Sequence, residues 1–475
     1  MAGHLDERDT QGLVATSFSQ HTCAAYRFLR IENGDSARAW LLGTVDDVTK
    51  AVKDDKKWAF NIALSCEGLR AMGLHDDSLR TFPPAFLDGM TSERRTRILG
   101  DAGPNHPEHW LWGGPRTPVH VLLLIYGKDE TERDRRVEQW TPGPAAGLSV
   151  VRTLLAGRQP NTKEHFGFMD GVGQPTFDRE RKDRQQKRTG HATELRLGEF
   201  VLGYENEYRS RSLTPTVAVE RDPENALPPS ADSSARHDLG LNGSYLVFRQ
   251  LAQDVPAFWG FVTKAASALW PEDPDGPTRL AAKFVGRWPS GAPLVRNPDS
   301  DPFDGEVQKN PENNFAFAAE DPHGLACPFG AHIRRSNPRD SLGPTPGQAR
   351  ESANRHRLLR RGRLYGDQIE NVLVPDGKER GLLFICLNAD IERQFEFVQQ
   401  TWINNPVFAG LYHEADPLIG NQAGCSGHFT VQADPLRLRV PGLASFVQVL
   451  GGGYFFLPGL RALRFLFRPH PPGGR

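Results

Sequence analysis

The run Val119-His120-Val121-Leu122-Leu123-Leu124-Ile125-Tyr126 is almost unbroken in its apolar character and has the length of one strand. A strand with one wet face alternates polar and apolar side chains, so this run demands a sheet covered on both faces. Its neighbours fit such a sheet. Residues 24–31 (AAYRFLRI) alternate well enough for a first strand, and Phe60 to Leu64 reads as a second. Ser65 to Gly73 reads as a short helix stopped by glycine. Asp46 to Lys57 is charged and helix-like behind a cap at Thr44, and Glu130 to Trp140 is a charged helix. The β-α-β-β-α-β order that results is that of a ferredoxin-like α+β unit.

A second unit of the same kind is expected downstream. Gly243 to Arg249 is a clear strand, and Val255 to Trp270 a helix with Phe258, Trp259, Phe261 and Val262 on its apolar face. Gly381 to Leu387 is an apolar strand, and Asp390 to Trp402 a helix, with Ile391, Phe395, Val398 and Trp402 near helical spacing. Ser445 to Phe456 and Leu463 to Phe467 read as a closing helix or strand pair. Between the units, Phe177 to Asn242 is rich in charge, proline and serine, and LGEFVLGYE looks like a short strand inside it. The basic run at 179–188 reads as a solvated loop rather than a nucleic-acid patch. Residues 271–314 are again loop-rich. The expected organisation is an N-terminal half over 1–176, a charged insertion over 177–242, and a C-terminal half over 195–475 whose strand at 195–205 lies between insertions.

Composition removes several classes of function. The chain has 475 residues and a net charge of -1, so nothing in it favours nucleic acid or an acidic membrane surface as partner. Its five cysteines form no CxxC pair, which disfavours a zinc knuckle, a redox dithiol or a disulfide framework. The opening MAGHLDERDTQGL lacks a charged n-region and an apolar h-region, and no apolar run approaches the length of a membrane span. A cytoplasmic protein with neither signal peptide nor membrane segment is therefore expected. No P-loop, GxSxG, HExxH or dinucleotide fingerprint appears, and with 47 glycines a chance GxG match carries no weight.

Three segments remain. In Glu164-His165-Phe166-Gly167-Phe168-Met169-Asp170-Gly171, a carboxylate follows phenylalanines that could wall an apolar pocket; the plain alternative is an Asp-Gly turn. In Cys327-Pro328-Phe329-Gly330-Ala331-His332-Ile333-Arg334-Arg335-Ser336-Asn337-Pro338-Arg339, a histidine sits among arginines; the plain alternative is a surface histidine in a basic loop. Leu359-Arg360-Arg361-Gly362 precedes the apolar strand. Cleaving a peroxide on ferric haem needs a base to move a proton between the oxygens, a cation for the departing hydroxide, and an electron-donating axial ligand. Asp, Arg and His supply those roles.

The three segments, in this order, resemble the GxxDG motif, the proximal histidine segment and the distal arginine segment of the dye-decolorizing (DyP-type) haem peroxidases. The opening DTQGLV, the NGSYLVFRQL strand and NADIERQFEFVQQTWINN extend the resemblance over nearly the whole chain. The resemblance implies an α+β fold of two ferredoxin-like halves with antiparallel sheets, of the dimeric α+β barrel type. One haem b per chain would be held by the C-terminal half. It implies reduction of hydrogen peroxide and one-electron oxidation of dyes, phenols or other aromatic donors through a ferryl intermediate. His332 would be the axial iron ligand, Asp170 the distal acid–base group, and Arg360, the first of the pair with Arg361, the distal cation. Arg335 and Arg334 would meet a haem propionate, and Leu382 and Phe384 would line the distal pocket. Asp416 would accept the second imidazole proton; its plain alternative is a turn aspartate before Pro417. Bulky dyes do not fit a gated pocket, so Tyr365 and Trp402 are candidates for relaying an electron, against the alternative of packed core aromatics. Two rival readings stay open: a haem-handling protein with incidental turnover, and a haem-free protein in which Asp and Arg form a buried ion pair. The physiological reductant and the oligomeric state are open as well.

Overall fold

The structure is a computed structural model, and it describes residues 4–159, 161–177, 194–308, 311–422 and 427–469. The basic run at 179–188 and Cys425 lie outside the described residues. The apolar run forms strand β3 (Val121–Gly127), buried along its whole length. It sits between β1 (Cys23–Ile31) and β2 (Trp58–Leu64), and β4 (Leu148–Gly157) flanks β1, so the first unit has the order β4-β1-β3-β2, antiparallel throughout. Two helices cover its outer face: α1 (Gly34–Leu42), whose N-cap Asn33 accepts the Ser36 N–H, and α3 (Glu130–Gln139). The short α2 (Cys66–Ala71) follows β2, capped by Ser65.

The second unit repeats the plan. Strand β5 (Ser244–Gln253) leads into helix α4 (Val255–Leu269); then come β6 (Leu359–Arg360), β7 (Arg363–Tyr365) and β8 (Gly381–Asn388). Two successive π-helical runs, Glu392–Glu396 and Val398–Ile403, precede β9 (Val447–Leu457), and α7 (Leu460–Phe467) closes the chain. Strand β5 lies between β9 and β8, with β6 and β7 beyond β8. The two units join at both edges, through Phe456 opposite Leu64 and Leu364 opposite Gly157, so the strands close into a barrel. This is the α+β architecture of two ferredoxin-like halves.

Strand alternation decides what faces where. Tyr26, Phe28, Leu122, Leu124, Phe248, Leu383 and Ile385 pack into one cluster inside the barrel, where the Tyr26 and Phe248 rings meet edge to face at 5.3 Å. Their neighbours Ala25, Leu29, Leu123, Ile125 and Val247 point outward and pack under helices. On the outer face of the second unit the same alternation turns Leu251, Gln253, Leu382 and Phe384 toward a cavity rather than toward a helix. The far side of that cavity is a third packing layer built from α4, α5 (Gly276–Val285) and the loops around residue 332.

Four local expectations are corrected. Residues 46–57 carry only a 3-10 turn, Val45–Asp47, because the Thr44 hydroxyl donates back to the Leu41 carbonyl (2.7 Å) and closes α1 instead of capping a new helix. LGEFVLGYE holds a 3-10 turn, Leu197–Glu199, not a strand. The loop-rich stretch 271–314 contains α5. The second unit's first strand starts at Ser244, so 195–205 is part of the intervening segment. Cys23, Cys66, Cys327 and Cys386 are free thiols. Among the described residues no helix is long and apolar enough to cross a membrane.

Candidate active site

The cavity on the outer face of the second unit has a volume of about 280 Å³ and a mostly apolar lining. Three stretches distant in sequence bring polar groups into it. The first is the loop 164–171. Gly167 and Gly171 adopt φ of +96° and +84°, which a side chain would resist, so both glycines are needed for this path. Phe166 and Phe168 are buried against α4, with the Phe166 and Phe258 rings 4.4 Å apart and the Trp259 indole donating to the Phe166 carbonyl at 3.1 Å. The loop thereby presents Asp170 to the cavity. One of its oxygens, Oδ1, accepts the Gly171 N–H at 2.5 Å and lies 3.3 Å from Arg360 Nη1.

Arg360 belongs to β6, and its main-chain N–H is held by the Gln174 amide oxygen at 3.1 Å. The adjacent Arg361 turns the other way, as strand alternation requires, and donates to the carbonyls of Leu13 (2.8 Å) and Val14 (2.9 Å) in the core. Of the pair, Arg360 is the one that lines the cavity, together with Leu382 and Phe384.

His332 opens the short helix α6 (His332–Ser336). Its Nδ1 lies 2.9 Å from Asp416 Oδ2, while Asp416 Oδ1 accepts the N–H groups of Leu418 (2.9 Å) and Ile419 (3.0 Å). A single carboxylate thus makes the turn and meets the imidazole. Burial pushes Asp416 up, but the imidazole and the Ile419 N–H outweigh it and hold the carboxyl below its ordinary range. Burial likewise pushes His332 down, and Asp416 reverses the sign and raises it. Among the described residues, no three His, Cys, Asp or Glu side chains are grouped so as to hold a metal ion.

Arg334 and Arg335 do not meet the cavity, contrary to expectation. Arg334 is buried against Asp321 (2.9 Å) and the Cys327 carbonyl (2.8 Å), and Arg335 donates to the carbonyls of Trp402 (2.8 Å), Asn405 (3.0 Å) and Glu414 (2.6 Å). Both hold loops together. Besides Arg360, the guanidiniums that line the cavity are Arg287, Arg339 and Arg357. Those of Arg287 and Arg339 donate to main-chain carbonyls and the Asn313 amide oxygen rather than to carboxylates. Burial pushes Arg287 and Arg357 down to about 9, with Arg339 adding repulsion to each, and burial brings Arg339 itself to about 10. A crowded, desolvated set of cations of this kind favours an anionic ligand. Arg339 lies past the end of α6 at a φ of +54°, so no helical spacing in the sequence points to it.

Tyr365 and Trp402 are both buried, and neither lines the cavity. Tyr365 belongs to the barrel interior, and Trp402 packs its ring 5.3 Å from both His356 and Phe397. Sequence reasoning missed Glu164 and Gln253, which do line the cavity.

No family model matches the chain. It is similar to a dye-decolorizing peroxidase of Mycena epipterygia, 30% identical over 446 residues that span 85% of this chain and 75% of the relative. It is also similar to the multifunctional dye peroxidase DyP2 of an Amycolatopsis species, at 33% over 369 residues, 73% of this chain and 70% of that one. Among solved structures, the fungal DyP-type peroxidase of Auricularia auricula-judae superposes with a TM-score of 0.77 at 25% identity, covering 98% of this chain and 100% of that one. With the relatives' names, the shared fold and the extent of the matches in agreement, the chain belongs to the dye-decolorizing peroxidase family of haem enzymes and is a hydrogen-peroxide-dependent oxidoreductase.

Proposed function

We propose that the cavity holds one haem b, with His332 as axial ligand and Asp170 and Arg360 as the acid–base group and cation of peroxide reduction. The observation that carries this reading is the convergence of His332–Asp416 and Asp170–Arg360 on one apolar cavity. The residues fit such a cofactor. The imidazole has its Nδ1 committed to a carboxylate, which leaves Nε2 for a metal and makes the ring a better donor. Arg339, Arg287 and Arg357 would hold the propionates in place of Arg334 and Arg335. When bound, the haem iron supplies the redox chemistry of peroxide reduction.

The protein's own residues handle the proton. Asp170 Oδ1 is occupied by Gly171 and Arg360, so Oδ2 is the oxygen that takes a proton from one peroxide oxygen and returns it to the other. Arg360 stabilises the negative charge that develops as the bond breaks. Leu382 and Phe384 narrow the approach and exclude bulky donors, so small phenols are oxidised at the cavity and dyes at a distance from it. A haem-handling role would need neither Asp170 nor Arg360.

The test is an absorption spectrum of the purified protein before and after peroxide, with stopped-flow rates for Asp170→Asn and a spectrum of His332→Ala. The reading expects a haem spectrum that changes within milliseconds of mixing and a rate lowered about 10²–10⁴-fold in Asp170→Asn. It also expects loss or loosening of haem in His332→Ala. A wild-type rate in Asp170→Asn, or an unaltered haem spectrum in His332→Ala, sinks the corresponding role.

A further inference from the structure

Glu164 has no part in the chemistry above, yet it lines the same cavity as Asp170. Its carboxylate takes three donors. Oε2 accepts the Phe166 N–H (2.9 Å) and the Gln253 side-chain amide (2.7 Å), and Oε1 accepts the Phe168 N–H (2.9 Å). The main chain closes around the same residue: the Glu164 N–H donates to the Phe168 carbonyl at 2.9 Å, and the Gly167 N–H to the Glu164 carbonyl at 2.8 Å. The loop therefore wraps its own glutamate, and Gln253 ties that glutamate to the end of β5 on the barrel wall.

Asp170 stands two residues past Phe168 and is exposed to the cavity, where its contacts are the Gly171 N–H and Arg360. Its distance from Arg360, which arrives on β6, thus depends on where the loop is fastened. The fastening is Glu164.

We propose that Glu164 is a positioning residue for the distal carboxylate: through Phe166, Phe168 and Gln253 it fixes the loop so that Asp170 meets Arg360. This rests on the reading of Asp170 given above. A surface role would not require a carboxylate this deep: burial, with the charge of Asp170 adding to it, pushes Glu164 up to about 7 against the pull of its three donors. The charged and titratable groups that face Asp170 are Arg360 from β6, Arg158 at the end of β4, His332 from α6, and Glu164 on its own loop. Of these, Arg360 is the cation in contact with Asp170, so a displaced loop loses the partner that favours the ionised form.

The test uses the haem-loaded wild type, Glu164→Gln, Gln253→Leu and Asp170→Asn, with the second-order rate of reaction with peroxide followed from pH 3 to 8. Both loop variants are expected to keep the haem spectrum and to react about 10- to 100-fold more slowly, as for a reacting group moved by a fraction of an ångström to an ångström. The pH at which the rate falls off on the acid side should move upward in both. Before haem is added, hydrogen exchange at the Phe166 and Phe168 amides should be at least about tenfold faster in Glu164→Gln. An unchanged rate, or a slower rate with an unmoved acid limb, overturns the positioning role, and so does unchanged exchange. Gln253→Leu keeps the carboxylate and so supplies the answer even where Glu164→Gln misfolds. Wild-type speed in Asp170→Asn marks failure of the underlying reading instead, whatever the loop variants do.

Discussion

His332 Nδ1 and Asp416 Oδ2 lie 2.9 Å apart, and this contact decides which imidazole nitrogen the cavity receives. Asp416 is fully buried, and its other oxygen is held by the N–H groups of Leu418 and Ile419, so the carboxylate cannot swing away. Replacing it with asparagine keeps the turn and the shape but removes the charge that makes the ring electron-rich. Asp416→Asn is expected to retain haem with an affinity lowered about 10- to 100-fold. Its ferric/ferrous midpoint potential should move to a more positive value. Spectroelectrochemistry and haem transfer to an acceptor protein measure the two effects. An unmoved potential removes Asp416 from the electronic role and leaves it the turn alone.

Arg360 and Arg361 are adjacent in sequence and opposite in consequence. Arg360 stands in the cavity beside Asp170, whereas Arg361 fills two core carbonyls, those of Leu13 and Val14. Arg360→Leu is expected to fold normally and to lose about 10²–10³-fold in the rate of reaction with peroxide, as when one charge-stabilising donor is deleted. Arg361→Leu should leave buried acceptors unsatisfied, at about 1–3 kcal/mol each, and so lower the unfolding midpoint with little change in rate per folded molecule. Denaturant titration and stopped flow on the two variants separate the cases; reversed phenotypes would exchange the assignments.

The elements that sequence reading found are those with a one-dimensional signal. β3 is apolar on both faces because the barrel interior and the helical layer both cover it, and that doubled burial is written directly in Val121 to Tyr126. Helix α5 was hidden for the opposite reason. Its apolar residues Leu280, Ala281 and Phe284 do recur at helical spacing, but proline-rich text surrounds them on both sides. Residues 197–202 bury Leu197, Phe200 and Val201, a spacing of three and four that belongs to a helical turn and not to a strand. The site shows the same division. His332, Asp170 and Arg360 stand in recognisable segments, whereas Glu164 and Arg339 matter through what the folded chain places opposite them. No spacing in sequence shows that Gln253 reaches Glu164 or that Asn313 is shared by Arg287 and Arg339.

Arg339 and Arg335 make the second contrast between neighbours. Arg339 lines the cavity at a residue of positive φ, +54°, just past the end of α6. Arg335 lies inside the protein and gathers the carbonyls of Trp402, Asn405 and Glu414. Arg339→Leu is expected to weaken haem retention about 10- to 100-fold, because a charge-assisted bond to a carboxylate contributes about 1.5–3 kcal/mol, and to lower the haem-free midpoint less than Arg335→Leu does, since its bonds to Asn313 and Phe315 are only part-buried. Arg335→Leu should lower the midpoint of the haem-free protein itself. Calorimetry before and after haem addition reads both; loss of haem from Arg335→Leu without loss of stability would restore the expectation that the structure overturned.

Asp222 supplies the clearest pH dependence outside the cavity. It is fully buried in the segment between the two units. Oδ2 accepts the Leu227 N–H at 2.9 Å and lies 2.8 Å from His237 Nδ1; Oδ1 accepts the Ala226 N–H at 3.1 Å and meets Arg468 Nη1 at 3.3 Å. Burial pushes the carboxyl up, but these donors outweigh it and hold Asp222 below the usual carboxylate range. A pKa lower in the folded than in the unfolded chain means stability that is present above the unfolded value, roughly 3.9, and lost as pH falls through the folded one. Asp222→Asn should therefore cost about 2 kcal/mol near pH 7, where the carboxylate holds its donors as an anion. The gap to wild type should narrow steadily as pH falls from 5 toward 3, since protonation then gives wild type the same neutral group. Because Arg468 follows α7, the variant should also release the C-terminal end of that helix to faster hydrogen exchange. A stability gap that is constant from pH 7 to 3 would show that the asparagine acts through packing and that the charge of Asp222 does not tie this segment to the second unit.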